Sequence, residues 1–137
     1  MIVIDGSGLI LGRAATYVAK SIINGEEVRV VNCENFMITG SPLSILANYR
    51  QRRKLQHKGT PEKSPAWPKT PNLLVRRIIR GMLPWKSARG RAAFKRLRVQ
   101  VANPDNLKGV TLEQAKPKSI TKHITINALC VELAYVK

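Results

Sequence analysis

Acidic residues are scarce in this sequence, and their scarcity limits the classes of protein that it can encode. The 137 residues contain eight Asp and Glu against 24 Lys and Arg, which gives a formal net charge of +16. Unpaired charge of one sign destabilises a compact domain, so we expect a polyanionic partner. The carboxylates form no close pair apart from Glu26 and Glu27, which leaves little for general acid–base catalysis. We expect no catalytic residues and no small-molecule substrate.

Cysteines and long apolar runs are also lacking. Cys33 and Cys130 are too few for a disulfide framework, and neither a CxxC motif nor a paired histidine spacing indicates zinc. We therefore expect no metal, no cofactor and a reducing compartment. No apolar run reaches the roughly 20 residues of a membrane span, and the start of the chain lacks the basic segment of a signal peptide. These absences predict a cytoplasmic protein without a membrane partner.

The hydrophobic pattern predicts an α/β fold. Residues 1–5 are an apolar, largely β-branched run followed by Asp-Gly-Ser-Gly, which is typical of a buried strand and a turn. Residues 12–24 carry apolar side chains at helical spacing and end at Asn-Gly. Residues 28–32 form a second strand. Because the connections are short, we expect a βαβ unit with parallel strands.

The middle of the chain predicts three basic helices. Ser41 and Pro42 mark the start of the first helix, whose apolar side is formed by Leu43, Leu46, Ala47 and Tyr49. Asn72 is the expected N-cap of the second helix, with an apolar stripe of Leu74, Val75, Ile78, Ile79 and Met82. Ser87 is the expected N-cap of the third.

The remaining segments complete a predicted single parallel sheet with helices packed on it. Residues 59–72 contain half of all the prolines and predict a stiff surface loop. Residues 97–101 alternate like a strand, and residues 125–135 fit a last helix with Leu129 and Leu133 buried.

Positive charge is concentrated in the middle of the chain. Residues 35–100 hold sixteen Lys and Arg and a single acid, Glu62, whereas residues 1–34 and 101–137 are close to neutral. A solvated basic face is the alternative interpretation, but so large a block without counter-charge destabilises the fold. Arginine outnumbers lysine in this block. Because guanidinium groups fit phosphate oxygens and stack on bases, the block predicts a nucleic-acid-binding surface.

The kind of nucleic acid follows from how the basic residues are distributed. They lie on several predicted elements, and the sequence has no zinc-finger spacing, no heptads after a basic region and no clear helix-turn-helix. Gly90, between Arg89 and Arg91, would let the backbone approach a phosphate. Trp67 and Trp85 lie in the same half and would stack on unpaired bases, with ordinary packing as the alternative. This pattern favours a large folded RNA.

A glycine-rich turn offers an alternative function. Gly6 and Gly8 follow the first strand, and Gly12 opens the first helix. The second strand ends near Glu34, about where a ribose-binding acid would lie. The spacing is one residue longer than the dinucleotide fingerprint, so a tight turn that needs glycine for its backbone is the competing interpretation. A small nucleotide-binding enzyme stays open as an alternative.

Nucleophilic catalysis is a weaker alternative. Cys33 paired with His57 or His123 would provide a nucleophile and a base, but nothing in the sequence orients such a pair. Buried structural cysteines and ordinary surface histidines are the commoner cases.

Several motifs resemble those of one known family. Residues 80–86 read Arg-Gly-Met-Leu-Pro-Trp-Lys and are followed by Arg89-Gly90 and by Leu-Arg-Val at residues 97–99. Together with Val3-Ile4-Asp5, Leu11-Gly12-Arg13-Ala14-Ala15, Asn32-Cys33-Glu34 and Thr39-Gly40, this pattern resembles the L-thirteen family of large-subunit ribosomal proteins. The resemblance covers about residues 1–101 and, through the compact connection Asn24-Gly25-Glu26-Glu27, is to archaeal-type members.

The resemblance implies a fold and a function. It implies a single α/β domain over residues 1–137, with a mostly parallel sheet of about four strands and helices on both faces. The basic helical half, about residues 41–96, would bind large-subunit rRNA, and the role of residues 102–137 stays open. It further implies a structural, non-enzymatic constituent that helps rRNA to fold during assembly, next to other large-subunit proteins. An extraribosomal mRNA-binding regulator is a second alternative.

The candidate RNA-binding residues come from the family resemblance and from the distribution of positive charge. Arg13 enters through the family motif and its place at a helix N-terminus, which favours phosphate. The others are drawn from the basic block. The full set is Arg13, Arg50, Arg52, Arg53, Lys54, Lys58, Arg76, Arg77, Arg80, Lys86, Arg89, Arg91 and Lys95.

Overall fold

A parallel sheet organises the fold. Two of its strands precede the basic block, and the third lies at the end of that block. The computed structural model describes residues 1–119 and 121–133. Its elements, in chain order, are β1 (Ile2–Asp5), α1 (Leu11–Ile23), β2 (Val28–Val31), β3 (Met37–Thr39), α2 (Pro42–Lys54), α3 (Pro71–Gly81), α4 (Ala88–Lys95), β4 (Leu97–Val99), β5 (His123–Thr125) and α5 (Ile126–Glu132).

The predicted βαβ unit is confirmed. β1 and β2 pair in parallel with Ile4 opposite Val30, and α1 connects them. β4 adds to the other side of β2, also in parallel, with Val99 opposite Val30. The sheet order is therefore β1-β2-β4, and the strand predicted after α4 is confirmed with a shorter extent.

The number of strands differs from the expectation. The described parallel sheet has three strands rather than about four, although Val110 makes one further parallel bridge to Ile4 at the β1 edge. β3 and β5 form a separate two-stranded antiparallel sheet, which the hydrophobic pattern did not predict. Each has three residues, too few to show a period-2 pattern, and they come together from distant parts of the chain.

One face of the parallel sheet lies in the hydrophobic core. Side chains alternate between faces along a strand, so Ile4, Val28, Val30 and Leu97 share one face, and all four are buried. α1 contacts α3 and α4, and all three contact strands of the sheet. The opposite face carries Arg29 and Arg98 together with the buried Val31. The expectation of helices on both faces stays a prediction.

α2 is the least integrated of the predicted helices. It spans the predicted residues, but Leu43 is 80% exposed and Ala47 is exposed, so the expected apolar side is only half correct. Tyr49 is its one buried residue. The C-terminal turns carry too many charges to enter the core, and the helix therefore lies at the surface.

The capping predictions had mixed outcomes. Ser87 caps α4 as predicted, with the Gly90 amide donating to its hydroxyl at 3.1 Å. Asn72 does not cap α3: the N-cap is Thr70 and Pro71 takes the first helical position. Proline is favoured there because its fixed φ suits the helix and it has no N–H to satisfy.

The chain after β4 is only partly covered by the predictions. α5 starts after Thr125, whose hydroxyl accepts from the Ala128 amide, and Leu129 and Leu133 are buried as predicted. The last two residues of the predicted helix, 134 and 135, lie outside the described residues. Among the described helices, none is long and apolar enough to span a bilayer.

The environment of Gly90 differs from the sequence interpretation. The residue is buried, and a Cβ there would collide with the carbonyl group of Pro84. Glycine is therefore needed for close packing of α4 on the preceding turn and not for the approach of a phosphate.

We expect Gly90→Ala to lower the free energy of unfolding by about 1–3 kcal/mol, because the added methyl group overpacks this contact. Gly12→Ala is the matched control, since a Cβ at Gly12 meets nothing within 4 Å in the first turn of α1. Urea denaturation of both variants measures the difference. Equal stability of the two variants would contradict the packing role.

Candidate nucleic-acid interface

The predicted cations are displayed on α2, α3, α4 and the loops beside them, with almost no carboxylates to pair with. Three ion pairs are present among the described residues: Arg29–Asp105, Lys116–Glu113 and the loose pair Arg50–Glu132 at 3.8 Å. Arg50 is thus the only one of the thirteen candidates with a carboxylate within 4 Å in the described part of the chain. The surface retains most of its positive charge.

Four of the candidate arginines lie over aromatic rings in two groups. In the first, which we call the Trp67 cluster, Tyr49 packs edge-on against Trp67 with ring centroids 5.9 Å apart. The guanidinium carbon of Arg77 lies 4.2 Å from the Trp67 centroid, and that of Arg52 lies 5.1 Å from it. Arg77 also donates to the Ala66 carbonyl, which ties α3 to the proline-rich loop.

The second group, the Phe94 cluster, joins α3 to α4. Trp85 packs edge-on against Phe94 with centroids 5.2 Å apart. The guanidinium carbon of Arg76 lies 4.8 Å above Phe94, and that of Arg80 lies 5.1 Å above Trp85. Stacking of this kind favours the cation because the ring face is electron-rich.

A groove runs between the two clusters along α3. Burial, and after it the neighbouring charge of Arg80, lowers the pKa of Arg77. The groove is lined by Ala66, Trp67, Pro68, Leu73, Arg76, Arg77, Arg80 and Phe94. We name it the arginine groove.

The other candidates have different surroundings. Lys54, Lys58 and Lys86 are exposed near helix ends, and Arg89, Arg91 and Lys95 are exposed on α4. Arg13 lies in the first turn of α1 and donates to the Lys116 carbonyl at 3.3 Å, so it faces the C-terminal segment. Arg53 is half-buried and donates to the Leu133 carbonyl at 2.6 Å, which anchors α2 to the end of α5.

Two of the four aromatic residues beneath the arginines, Tyr49 and Phe94, were not predicted from the sequence to take part in the site. Tyr49 was assigned only to a helix face, and Phe94 was not considered. Tyr49 and Arg52 are three residues apart on α2, a spacing at which helical side chains meet, so that contact had a local signal. Phe94 had none, because Arg76 reaches it from another helix.

The glycine-rich turn is explained by local packing. The Ser7 amide and the Asn32 side-chain amide both donate to the Asp5 carboxylate at 3.0 Å. A Cβ at Gly6 would lie 2.9 Å from the Asn32 carbonyl oxygen, and Gly8 has a φ of +70°. The Ser7 amide of the turn is therefore taken by the Asp5 carboxylate, and the glycines meet backbone requirements, which favours the backbone interpretation of the turn.

The residues considered for catalysis are buried or hydrogen-bonded within the protein. Both Glu34 oxygens accept from the Ala102 amide, at 3.0 and 3.1 Å. Burial raises the pKa of the Cys33 thiol to about 12 and that of the Cys130 thiol to about 11. Thiols of this kind stay protonated near neutral pH and are poor nucleophiles. The Nδ1 atom of His123 donates to the Thr121 carbonyl at 2.9 Å.

Comparison with known proteins identifies the relatives of the chain. The family model described as "Ribosomal protein L13" matches residues 1–106. The large ribosomal subunit protein uL13 of Methanosphaera stadtmanae is 41% identical over 131 residues, covering 93% of this chain and 92% of the relative. The protein of that name from Methanocaldococcus jannaschii is 42% identical over 134 residues, 97% of each chain. That from Methanosarcina barkeri is 49% identical over 109 residues, 79% and 76% of the two chains.

These matches confirm the archaeal-type resemblance. They also extend it beyond the expected residues 1–101, since an alignment covering 97% of the chain includes most of the C-terminal segment.

The buried thiols lead to a prediction about reactivity and pH. At pH 8 a thiol of pKa about 12 is ionised to about one part in 10,000, so iodoacetamide should label Cys33 only in denaturant. Because the ordinary pKa is 9.0, the unfolded thiol ionises first. Its stabilising contribution is complete below pH 9 and is lost as the pH rises towards 12.

Mass spectrometry after labelling measures the first effect, and urea denaturation at pH 8 and pH 10.5 measures the second. Cys33→Ala should show a smaller loss of stability between the two pH values than the native sequence. Rapid labelling of Cys33 in the folded protein would contradict the assignment.

Arg53 and Lys54 are neighbours that should behave differently. Arg53→Met removes the hydrogen bond to the Leu133 carbonyl and should lower the free energy of unfolding by about 1 kcal/mol or more. Lys54→Met is the control, because this side chain is exposed, and it should change stability by less than about 0.5 kcal/mol. Thermal and urea unfolding measure both, and equal effects would exclude an anchoring role for Arg53.

Proposed function

The chain belongs to the ribosomal protein L13 family, and from this premise we propose that it is a structural, non-enzymatic constituent of the large ribosomal subunit. Its task is to bind large-subunit rRNA and to help it fold during assembly in the cytoplasmic ribosome. Its further partners are neighbouring large-subunit proteins. We treat residues 1–137 as one domain, with the basic half at about residues 41–96 as its RNA-binding part.

The observation that carries this proposal is the unneutralised charge of the candidate residues. Twelve of the thirteen have no carboxylate within 4 Å in the described part of the chain. Neutralising rRNA phosphates releases condensed counterions and relieves the repulsion among these side chains. We assign this role to Arg13, Arg50, Arg52, Arg53, Lys54, Lys58, Arg76, Arg77, Arg80, Lys86, Arg89, Arg91 and Lys95, with Arg53 also anchoring α2.

The core supports the proposal because it fixes where the cations lie. α3 buries Leu74, Val75 and Ile79 while it presents three arginines on its other side. α4 buries Gly90 and Ala93 while Arg89, Arg91 and Lys95 stay exposed. A rigid scaffold of this kind holds several rRNA segments at fixed distances from one another, which is what a folded RNA requires of an assembly protein.

The inert surroundings of the potential catalytic groups support the non-enzymatic part of the proposal. The buried thiols have raised pKa values, and the Asp5 carboxylate is held by the glycine turn and Asn32. The same interactions argue against the nucleotide-binding alternative.

The proposal predicts strong salt dependence. The purified protein should bind structured rRNA with a log–log salt slope of about −5 or steeper, since each neutralised phosphate contributes about −0.7 to −0.9. Arg89→Ala combined with Arg91→Ala should weaken binding and make the slope shallower by about 1–2. The melting temperature should change little, because both side chains are exposed. Fluorescence anisotropy at several salt concentrations measures the slope.

The control for this experiment removes the same charge elsewhere. Lys108→Ala combined with Lys118→Ala changes two exposed lysines outside the basic block, and it should leave the slope nearly unchanged. A slope near zero for the native sequence, or equal effects of the two double variants, would refute the proposal. Loss of folding in the Arg89 and Arg91 variant would show that these side chains are structural.

A further inference from the structure

The arginine groove has features that phosphate binding alone does not require. Duplex RNA is recognised mostly through its shape, phosphates and 2′-hydroxyls, and its phosphates can be bound by a flexible lysine as a point charge. Here three guanidinium groups are instead held in place by aromatic rings: Arg77 on Trp67, Arg76 on Phe94 and Arg80 on Trp85. The fixed planes give the groove defined stacking surfaces.

Each of the three guanidinium carbons lies over a ring, 4.2–5.1 Å from its centroid, so the ring takes up one side of the group. The same three side chains line the groove, and their N–H groups lie at the edge of the guanidinium plane. The edge can donate two parallel hydrogen bonds to a phosphate, while the uncovered face can stack on a base. An unpaired nucleotide offers both of these groups together, whereas a paired base has its faces covered by its neighbours.

The walls of the groove match the same ligand. Leu73 is 49% exposed and lies beside Pro68 and Ala66, so part of the wall is apolar. Arg77 and Arg80 face each other's charge. A ligand that is flat and apolar on one part and anionic on another satisfies both conditions.

From these features we infer that the arginine groove binds an unpaired, extruded nucleotide of the RNA, its phosphate at the guanidinium edges and its base stacked on an arginine plane. The inference rests on the proposed function and specifies the form of RNA that this part of the surface recognises. The two tryptophans then act as supports beneath the arginines, and the bases do not stack on them directly.

Three RNA hairpins of equal length test the inference by fluorescence anisotropy with the full-length protein. One has an internal loop of unpaired adenosines, one is fully paired, and one has abasic nucleotides in the loop. The native protein should bind the adenosine loop about tenfold or more tightly than either of the others, given the usual strength of base stacking. The abasic hairpin keeps the phosphates and the flexibility, so it isolates the contribution of the base.

Arg76→Lys with Arg77→Lys and Arg80→Lys keeps the charge and removes the planar groups. This variant should lose the preference for the adenosine loop to within about twofold, while its affinity for the paired hairpin and its salt slope stay close to native. Arg50→Lys with Arg89→Lys and Arg91→Lys is the matched control, because none of these side chains lies over an aromatic ring in the described residues. It should keep the full preference.

Since Arg77 also holds the Ala66 carbonyl, circular dichroism melting checks the fold of the triple variant. If that variant unfolds, Arg80→Lys alone should still reduce the preference several-fold. Equal binding of the adenosine and abasic loops by the native protein, or an unchanged preference in the folded lysine variants, would overturn the inference. Failure of the native protein to bind any of the hairpins at low salt would instead refute the proposed function.

Discussion

Stacking of arginine on aromatic rings is the interaction on which the surface of this protein depends. Arg76, Arg77 and Arg80 lie within five residues of one another, and no carboxylate among the described residues lies within 4 Å of them. Their mutual repulsion would drive flexible side chains apart. The electron-rich faces of Trp67, Trp85 and Phe94 hold them together instead. The like charges are thereby kept in one groove before any anion arrives.

The aromatic residues can do this because they are themselves fixed by the fold. Trp67 and Phe94 are half-buried and pack against the hydrophobic core. Each makes an edge-on contact with a second ring, Tyr49 or Trp85, which is a preferred geometry for aromatic pairs. The sheet and the helices α3 and α4 therefore fix the aromatic rings, and the rings in turn fix the guanidinium groups. If the packing of the core were lost, the arginines would no longer be held in defined positions.

Local signals in the sequence predicted the elements that support this surface. The βαβ unit, the apolar stripe of α3 and the Ser87 cap of α4 each depend on residues that are close in the chain. The β3–β5 pair depends on partners that are distant in the chain, and it was not predicted. Leu43 is exposed because no distant element covers it, and this was not predicted either.

The candidate site shows the same difference between features with a local sequence signal and features that depend on distant residues. Arg52 and Arg53 are adjacent and of one type, and both were predicted to bind RNA. Arg52 lies over Tyr49 and Trp67, whereas Arg53 reaches the Leu133 carbonyl at the far end of the chain. Composition identified the basic block, but the tertiary fold decides which cations are anchored internally and which rings lie beneath the others.

Glycine at two places, in the turn after β1 and at Gly90, suggested that the backbone contacts a phosphate. At both places the backbone donor has an acceptor within the protein instead. The Ser7 amide in the glycine turn donates to Asp5, and the Gly90 amide donates to Ser87. Both of these backbone donors are already satisfied within the protein. Backbone sites bind an anion at one fixed point, as in phosphate-cradling loops. Long cationic side chains on a rigid core are able to reach phosphates at many positions, which is what the proposed binding to a folded RNA requires.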